Sequence, residues 1–337
     1  MKKVVTFGEI LLRLSTKVGE RIQQSSQLMM HYGGAEANVS VSLANFGLDV
    51  FFVSKVPNNP LGQGVERHLK ANGVHTDYLI KEGERLGAYY IEAGVGGRST
   101  QVTYDRKHSS FSQMKLDDVD FEAIFDGASL FHVTGITPAL SPNMKELTAY
   151  SLKKAKEKGV LTSFDFNYRS KLWSQKEAGA TLKQFLPYMD ICSCGELDAL
   201  YLLGIPKAKE GMNQTEKLHY YYENIRTQYP NIKSIYSTFR EVISASTNTL
   251  QGNFYVDGKL YQSKVFHIDH IVDRVGGGDA YAAGILYGIL TGMNPEETVT
   301  FGTAASALKH TIHGDVNTFS KDEISAFAEQ ESGKIVR

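Results

Sequence analysis

The chain has 337 residues, 42% hydrophobic and 22% charged, the balance of a globular protein able to bury a sizeable core. Lys and Arg number 36 against 37 Asp and Glu, a formal net charge of -1, which offers no electrostatic case for a nucleic-acid partner. No apolar run reaches the length of a membrane helix, and Glu9 and Arg13 interrupt the first apolar stretch before it resembles a signal peptide, so a cytoplasmic location is expected.

Val4 to Phe7 is an apolar run stopped by Gly8 and predicts a buried first strand. Gly34 to Phe46 has helical spacing and stops at Gly47. Leu48 to Ser54 predicts a second strand, and Leu61 to Asn72 a helix ending at Gly73. This rhythm indicates βαβ units and a mostly parallel sheet. It breaks at Leu86 to Glu92 and Ser99 to Asp105, two β-rich stretches separated by Gly94-Val95-Gly96-Gly97, which predict a hairpin outside the main sheet. Together with Leu12 to Met30, that hairpin is expected to form a small β lid, contributed by about 12–32 and 86–107.

The rhythm resumes with strands at Ser129 to Val133 and Val160 to Phe164, separated by a helix from Pro142 to Lys158. Asp190 to Ser193 predicts a strand, and Glu196 to Leu203 a helix closed by Gly204. Cys192 and Cys194 have no third cysteine with which to form a metal set, and read as small buried residues. Ser234 to Thr238 and three β-rich stretches up to Phe266 follow. Helices are then expected at Asp279 to Leu290, Pro295 to His310 and from Lys321. No linker or repeat divides residues 1–337, so one α/β domain carrying a lid is the economical reading.

Val275-Gly276-Gly277-Gly278-Asp279 opens a helix that is apolar nearly all round. N–H groups at a helix start lack intrahelical partners and carry the positive end of the dipole. Glycines let such a backbone approach a ligand, which makes Gly276, Gly277 and Gly278 a candidate anion hole. A carboxylate beside it, Asp279, suits phosphoryl transfer to an alcohol, which needs an acceptor for the hydroxyl proton. The same string also fits a glycine turn with Asp279 as an ordinary helix cap.

Asp273-Arg274-Val275-Gly276-Gly277-Gly278-Asp279-Ala280 resembles the C-terminal signature of the PfkB (ribokinase-like) carbohydrate kinases, with Gly277 where Ala is common. Gly33-Gly34-Ala35-Glu36-Ala37-Asn38 resembles their N-terminal sugar-binding motif. The resemblance implies a central, mostly parallel sheet flanked by helices, a β-sheet lid over the sugar, and Mg2+ with ATP as phosphoryl donor. It further implies Asp279 as base and Gly276 to Gly278 as anion hole. There is no G-x-x-x-x-G-K-[ST] string for a P-loop and no N-terminal G-x-G-x-x-G for a dinucleotide fold.

Arg106 follows the second lid strand, and Arg169 lies just past the end of a buried strand, where parallel sheets place ligands. Two guanidinium groups at one cleft favour a carboxylated sugar over fructose or ribose. A surface ion pair or a phosphate contact is the alternative for Arg169. Within the family the chain is most similar to the 2-keto-3-deoxygluconate kinases. That resemblance implies sugar-acid contacts from Gly33, Gly34, Asn38, Tyr89, Tyr104, Arg106, Arg169, Asp279 and Asp315, and nucleotide contacts from Asn167, Arg169, Thr238, Arg240, Gly276 and Gly278.

Two stretches depart from the family pattern. Its usual Asn-x-x-Glu reads Gly195-Glu196-Leu197-Asp198 here, leaving Asp198 and Glu196 as candidate metal ligands. Its Thr-x-Gly-x-x-Gly loop reads Thr238-Phe239-Arg240-Glu241-Val242-Ile243. Alternatives are a fructokinase-like or other sugar kinase, or a sugar-binding protein without turnover. An exposed lid has strand edges to cover, so a homo-oligomer through the lid is expected.

Overall fold

Neighbouring residues of a strand point to opposite faces of a sheet. In β1 (Lys3–Phe7), Val5 and Phe7 join one apolar cluster while Val4 joins another. A sheet with a core on each face follows. The computed structural model describes residues 2–329. After β1 come β2 (Leu11–Ser15), β3 (Met29–Gly33), α1 (Ala35–Asn45), β4 (Asp49–Val56), α2 (Pro60–Ala71), β5 (Leu79–Lys81), β6 (Ala88–Glu92) and β7 (Gln101–Asp105). The middle of the chain supplies α3 (Phe121–Ile124), β8 (Ala128–Thr134), α4 (Pro142–Glu157), β9 (Leu161–Asp165), α5 (Gln175–Phe185), β10 (Ile191–Ser193), α6 (Glu196–Asp198) and α7 (Gln214–Gln228). The last part holds β11 (Ser234–Val242), β12 (Asn248–Val256), β13 (Lys259–Gln262), β14 (Phe266–Ile268), α8 (Gly277–Thr291), α9 (Pro295–Lys309) and α10 (Lys321–Glu329).

The large sheet has 10 strands in the order β13-β12-β11-β10-β9-β8-β1-β4-β5, with β14 pairing β12. From β11 across to β5 every pairing is parallel; β12 adds to β11 antiparallel and leads an antiparallel edge. One core is filled from α4, α5 and α7, the other from α1, α8 and α9. This is the mostly parallel α/β class expected from the rhythm of the sequence. A second sheet, β3-β2-β6-β7, joins its two hairpin-like halves through parallel pairing of β2 with β6. The strand order reverses between β1 and β8, so a crevice opens beyond their carboxyl ends.

Several local features differ from the sequence reading. Helices α5 and α7 lie in stretches where no element was expected, yet both carry start signals. Ser174 with Glu177, and Asn213 with Glu216, form capping boxes, and α7 buries Leu218, Tyr221, Tyr222 and Ile225 at helical spacing. The helix expected from Glu196 to Leu203 is a short α-turn running into π-helical Ala199–Leu203. Helix α8 begins at Gly277, so two glycines lie inside its first turn.

Phe131 is fully buried on β8, with ring centroids of Phe125 at 5.0 Å and Phe121 at 6.4 Å. Phe131→Ala should destabilise the fold by about 3–5 kcal/mol. Urea unfolding should show a lower midpoint with an unchanged slope.

Candidate active site

Beyond the ends of β1, β8 and β9 lies a cleft of about 400 Å³, roofed by Leu11, Tyr89, Ile91, Val102 and Tyr104 of the small sheet. Asp279 lies on its floor. Gly276, the residue before α8, has φ 82, a conformation glycine adopts without strain. A Cβ there would also lie 1.8 Å from the Asp315 backbone oxygen, so the turn admits no side chain. The Ala280 N–H reaches the Gly276 oxygen at 2.9 Å, and the Gly277 N–H is 3.4 Å from the Arg274 oxygen. The N–H groups of Gly278 and Asp279 have no backbone acceptor among the described residues, and Gly278 faces the cleft. They form an anion-receptive pair. Gly277, by contrast, packs against the ring of His310.

Asn38 orients the carboxylate: its Nδ2 donates to Asp279 Oδ2 at 2.7 Å, while its Oδ1 accepts from the Gly34 N–H at 3.3 Å. Gly34 is closely packed as well, since a Cβ would meet the Glu9 carbonyl oxygen at 2.0 Å. Burial pushes the Asp279 pKa up to about 7; the Asn38 bond opposes this, Asp165 adds to it, Arg169 opposes and Asp315 adds. Asp165, ending β9, is raised to about 6, chiefly by burial.

Asp315 lines the cleft with both carboxylate oxygens engaged. Arg13 Nη1 reaches Oδ1 at 2.5 Å, and the Tyr89 hydroxyl donates to Oδ2. The other arm of Arg13 pairs with Asp273, whose Oδ1 accepts from the Val275 N–H at 3.1 Å and whose Oδ2 accepts from the Gly314 N–H at 3.2 Å. Arg13, Asp273 and Asp315 are all nearly inaccessible. Asp315 is thus a held group, and its carboxylate is not free to swing.

Arg106 and Arg169 both line the cleft, as do Arg240 and Arg274. Arg106 is not a free fork: its Nε donates to Glu9 Oε2 at 2.8 Å, Nη2 reaches the same oxygen, and Ser109 takes Glu9 Oε1. The Arg106 guanidinium also lies 5.7 Å from the Tyr104 ring centroid. Arg169 is exposed, and among the described residues its one hydrogen bond runs from Nη1 to the Tyr168 carbonyl at 3.2 Å.

Among the expected nucleotide contacts, Asn167, Arg240, Gly276 and Gly278 reach this cleft, whereas Thr238 sits in mid-strand opposite Gly252, off its lining. Asn167 has φ 40 and donates its N–H to Asp165 Oδ1 at 3.1 Å. Asp198 accepts the Gly195 N–H at 2.9 Å, and burial raises its carboxyl. Among the described residues, no three His, Cys, Asp or Glu side chains gather as a metal set. Asp198 adds to the rise of the Asp165 carboxyl, whose chief cause is burial. No described helix is long and apolar enough to cross a membrane.

Residues 1–322 match the family described as pfkB family carbohydrate kinase. The chain belongs to the pfkB family. Its fold superposes with TM-score 0.94 on 2-dehydro-3-deoxygluconokinase from Thermotoga maritima, at 43% identity over 98% of this chain and 100% of that one. The 2-dehydro-3-deoxygalactonokinase of Haloferax volcanii is 33% identical over 96% of this chain and 95% of its own. The 2-dehydro-3-deoxygluconokinase of Bacillus subtilis is 29% identical, covering 96% and 94%.

The sequence reading of this pfkB kinase missed Glu9, Arg13 and Asp165 as members of the site. Arg13 carried a signal: it is a charged residue amid leucines on β2, sharing with Leu11 the face that meets Tyr89 and Asp315. Its partners lie 260 and 302 residues away, so the pairing itself had no sequence mark.

The raised Asp279 pKa carries a stability consequence. The folded state holds this proton more tightly than the unfolded chain, whose ordinary value is 3.8, so Asp279's contribution to stability is lost as pH rises from about 4 through about 7. Asp279→Asn should therefore match the wild type near pH 4 in thermal unfolding and exceed it at pH 8. An unchanged difference across that range would place Asp279 in an ordinary solvated state.

Proposed function

We propose that this kinase transfers the terminal phosphoryl group of Mg2+-ATP to the end hydroxyl of a 2-keto-3-deoxy sugar acid, with 2-keto-3-deoxygluconate giving 2-keto-3-deoxy-6-phosphogluconate. The observation carrying this reading is a carboxylate, Asp279, raised to about 7 and held by Asn38 beside two unpartnered N–H groups at the head of α8. Asp279 accepts the hydroxyl proton as the sugar oxygen attacks the γ-phosphorus. The bond from phosphorus to the leaving oxygen of ADP breaks, and the Gly278 and Asp279 N–H groups receive the charge on the transferring oxygens. Asp165 and Asp198 are the carboxylates that would hold a divalent ion brought with the nucleotide, which would supply positive charge to the phosphate oxygens.

The arginines support an acidic substrate. Arg169 offers donors to a carboxylate at the cleft mouth, and Arg106, steadied by Glu9, presents Nη1. The gluconate and galactonate names among the relatives describe C4 epimers, and the Haloferax volcanii enzyme favours keeping the galacto compound as a second reading.

A coupled ADP-release assay over both epimers, fructose and ribose tests the reading. The keto acids should lead, and fructose outperforming both would overturn it. Asp279→Asn should lower kcat by about 10²–10⁴-fold with little change in sugar affinity. For the wild type, kcat/KM should fall about tenfold per pH unit below about pH 7, because only the ionised carboxylate accepts a proton. Arg169→Ala is a cleaner probe than Arg106→Ala, which would leave Glu9 buried without its cation. It should raise KM for the keto acid by about tenfold or more and leave a neutral analogue nearly unaffected. Equal losses would refute carboxylate recognition.

A further inference from the structure

Lys309, the last residue of α9, is completely buried and contributes nothing to the chemistry above. A lysine in that position requires acceptors. Its Nζ donates to two backbone carbonyls, Asp273 O at 3.3 Å and Ile312 O at 3.4 Å. These belong to separate loops. One leads through Gly276 into α8, and the other carries Asp315. The neighbouring residue strengthens the junction, since the His310 carbonyl accepts from the Val272 N–H at 2.8 Å. From the small sheet, Arg13 binds the Asp273 and Asp315 side chains. The two loops are therefore joined by two cations from different elements, Arg13 through carboxylates and Lys309 through backbone oxygens. They also meet directly, because Gly276 abuts the Asp315 carbonyl so closely that no Cβ fits between them.

We propose that Lys309 is a positioning residue for phosphoryl transfer: its buried ammonium clasps the loop before α8 to the loop bearing Asp315 and so fixes the Gly276–Asp279 turn. The catalytic part of this inference rests on the function proposed above; the clasp itself does not. An internal cation also balances the local charge. Burial lowers the Lys309 pKa, Asp273 and Asp315 oppose that, Arg13 adds to it, and Asp279 opposes it. Asp279 in turn faces Asn38, Asp165, Arg169 and Asp315. Losing the Lys309 charge leaves Asp273 and Asp315 with Arg13 alone, which makes ionisation of Asp279 harder.

The test uses Lys309→Met, which keeps bulk and removes the ammonium, and Lys309→Ala, which leaves room for an added amine. Hydrogen exchange in the wild type and in Lys309→Met needs no substrate. Exchange should quicken in residues 272–279 and 311–317 and stay unchanged in β8 and α4. Lys309→Met should lose about tenfold or more in kcat while its sugar KM stays within about threefold. The acid limb of its kcat/KM profile should move to higher pH, and ethylammonium should restore part of the turnover of Lys309→Ala. Wild-type exchange in both loops would overturn the clasp, as would a uniform rise across the whole protein, which marks a general folding defect. A loss of kcat with an unmoved acid limb and no rescue by the amine would overturn the positioning role. Should the wild type phosphorylate none of the sugars, the functional reading fails, while the exchange measurement still decides on the clasp.

Discussion

Three aspartates, Asp165, Asp279 and Asp315, line one small cleft, and Asp273 lies behind them, joined to Asp315 through Arg13. Such a group is stable only if its charges are paired or its protons retained. The structure uses both solutions. Asp273 and Asp315 are matched by Arg13, with Lys309 close behind them. Burial holds the Asp279 pKa high, and the neutral amide of Asn38 and the charge of Arg169 offset only part of that rise. The pattern separates a structural pair, bridged by a guanidinium, from one acid left near the pH at which a base works.

That division depends on where the chain delivers each group. The strand order reverses between β1 and β8, so Glu9, Ile136 and Asp165 emerge around a single crevice. Helix α1 brings Gly34 and Asn38 to one side, and α8 brings the glycine turn and Asp279 to the other. The small sheet crosses above them with Tyr89 and Tyr104, and its β2 sends Arg13 down to the two loops beneath. The covering sheet and the glycine turn before Asp279 are thus linked through Arg13 and its two carboxylate partners. Arg13 of β2 binds the Asp315 side chain, and the backbone of Asp315 abuts Gly276.

The arginine argument for an acidic substrate changes in weight on meeting the structure. Arg106 and Arg169 were equivalent when read as residues near strand ends. Glu9 now distinguishes them: it neutralises Arg106 and fixes its plane, leaving Arg169 as the exposed guanidinium with donors to offer. Arg106 shapes the wall of the cleft through Tyr104 and Glu9, whereas Arg169 lines it with no carboxylate partner among the described residues, as do Arg240 and Arg274.

The sequence by itself determined the layered α/β class, the β hairpin outside the main sheet and the glycine turn before Asp279, because these follow from periodicity and backbone freedom over short stretches. It also marked Asn38, Arg106, Arg169 and Asp315 through motif strings, and α5 and α7 were legible in capping boxes that went unread. Tertiary structure alone decided which charges meet. Arg13 with Asp315, Asn38 with Asp279 and Lys309 with Asp273 are pairings of residues brought together by the sheet order, and the desolvation that sets the Asp279 proton affinity exists only once those layers close. Local patterns fix which backbone forms; dielectric environment and long-range contact belong to the assembled fold.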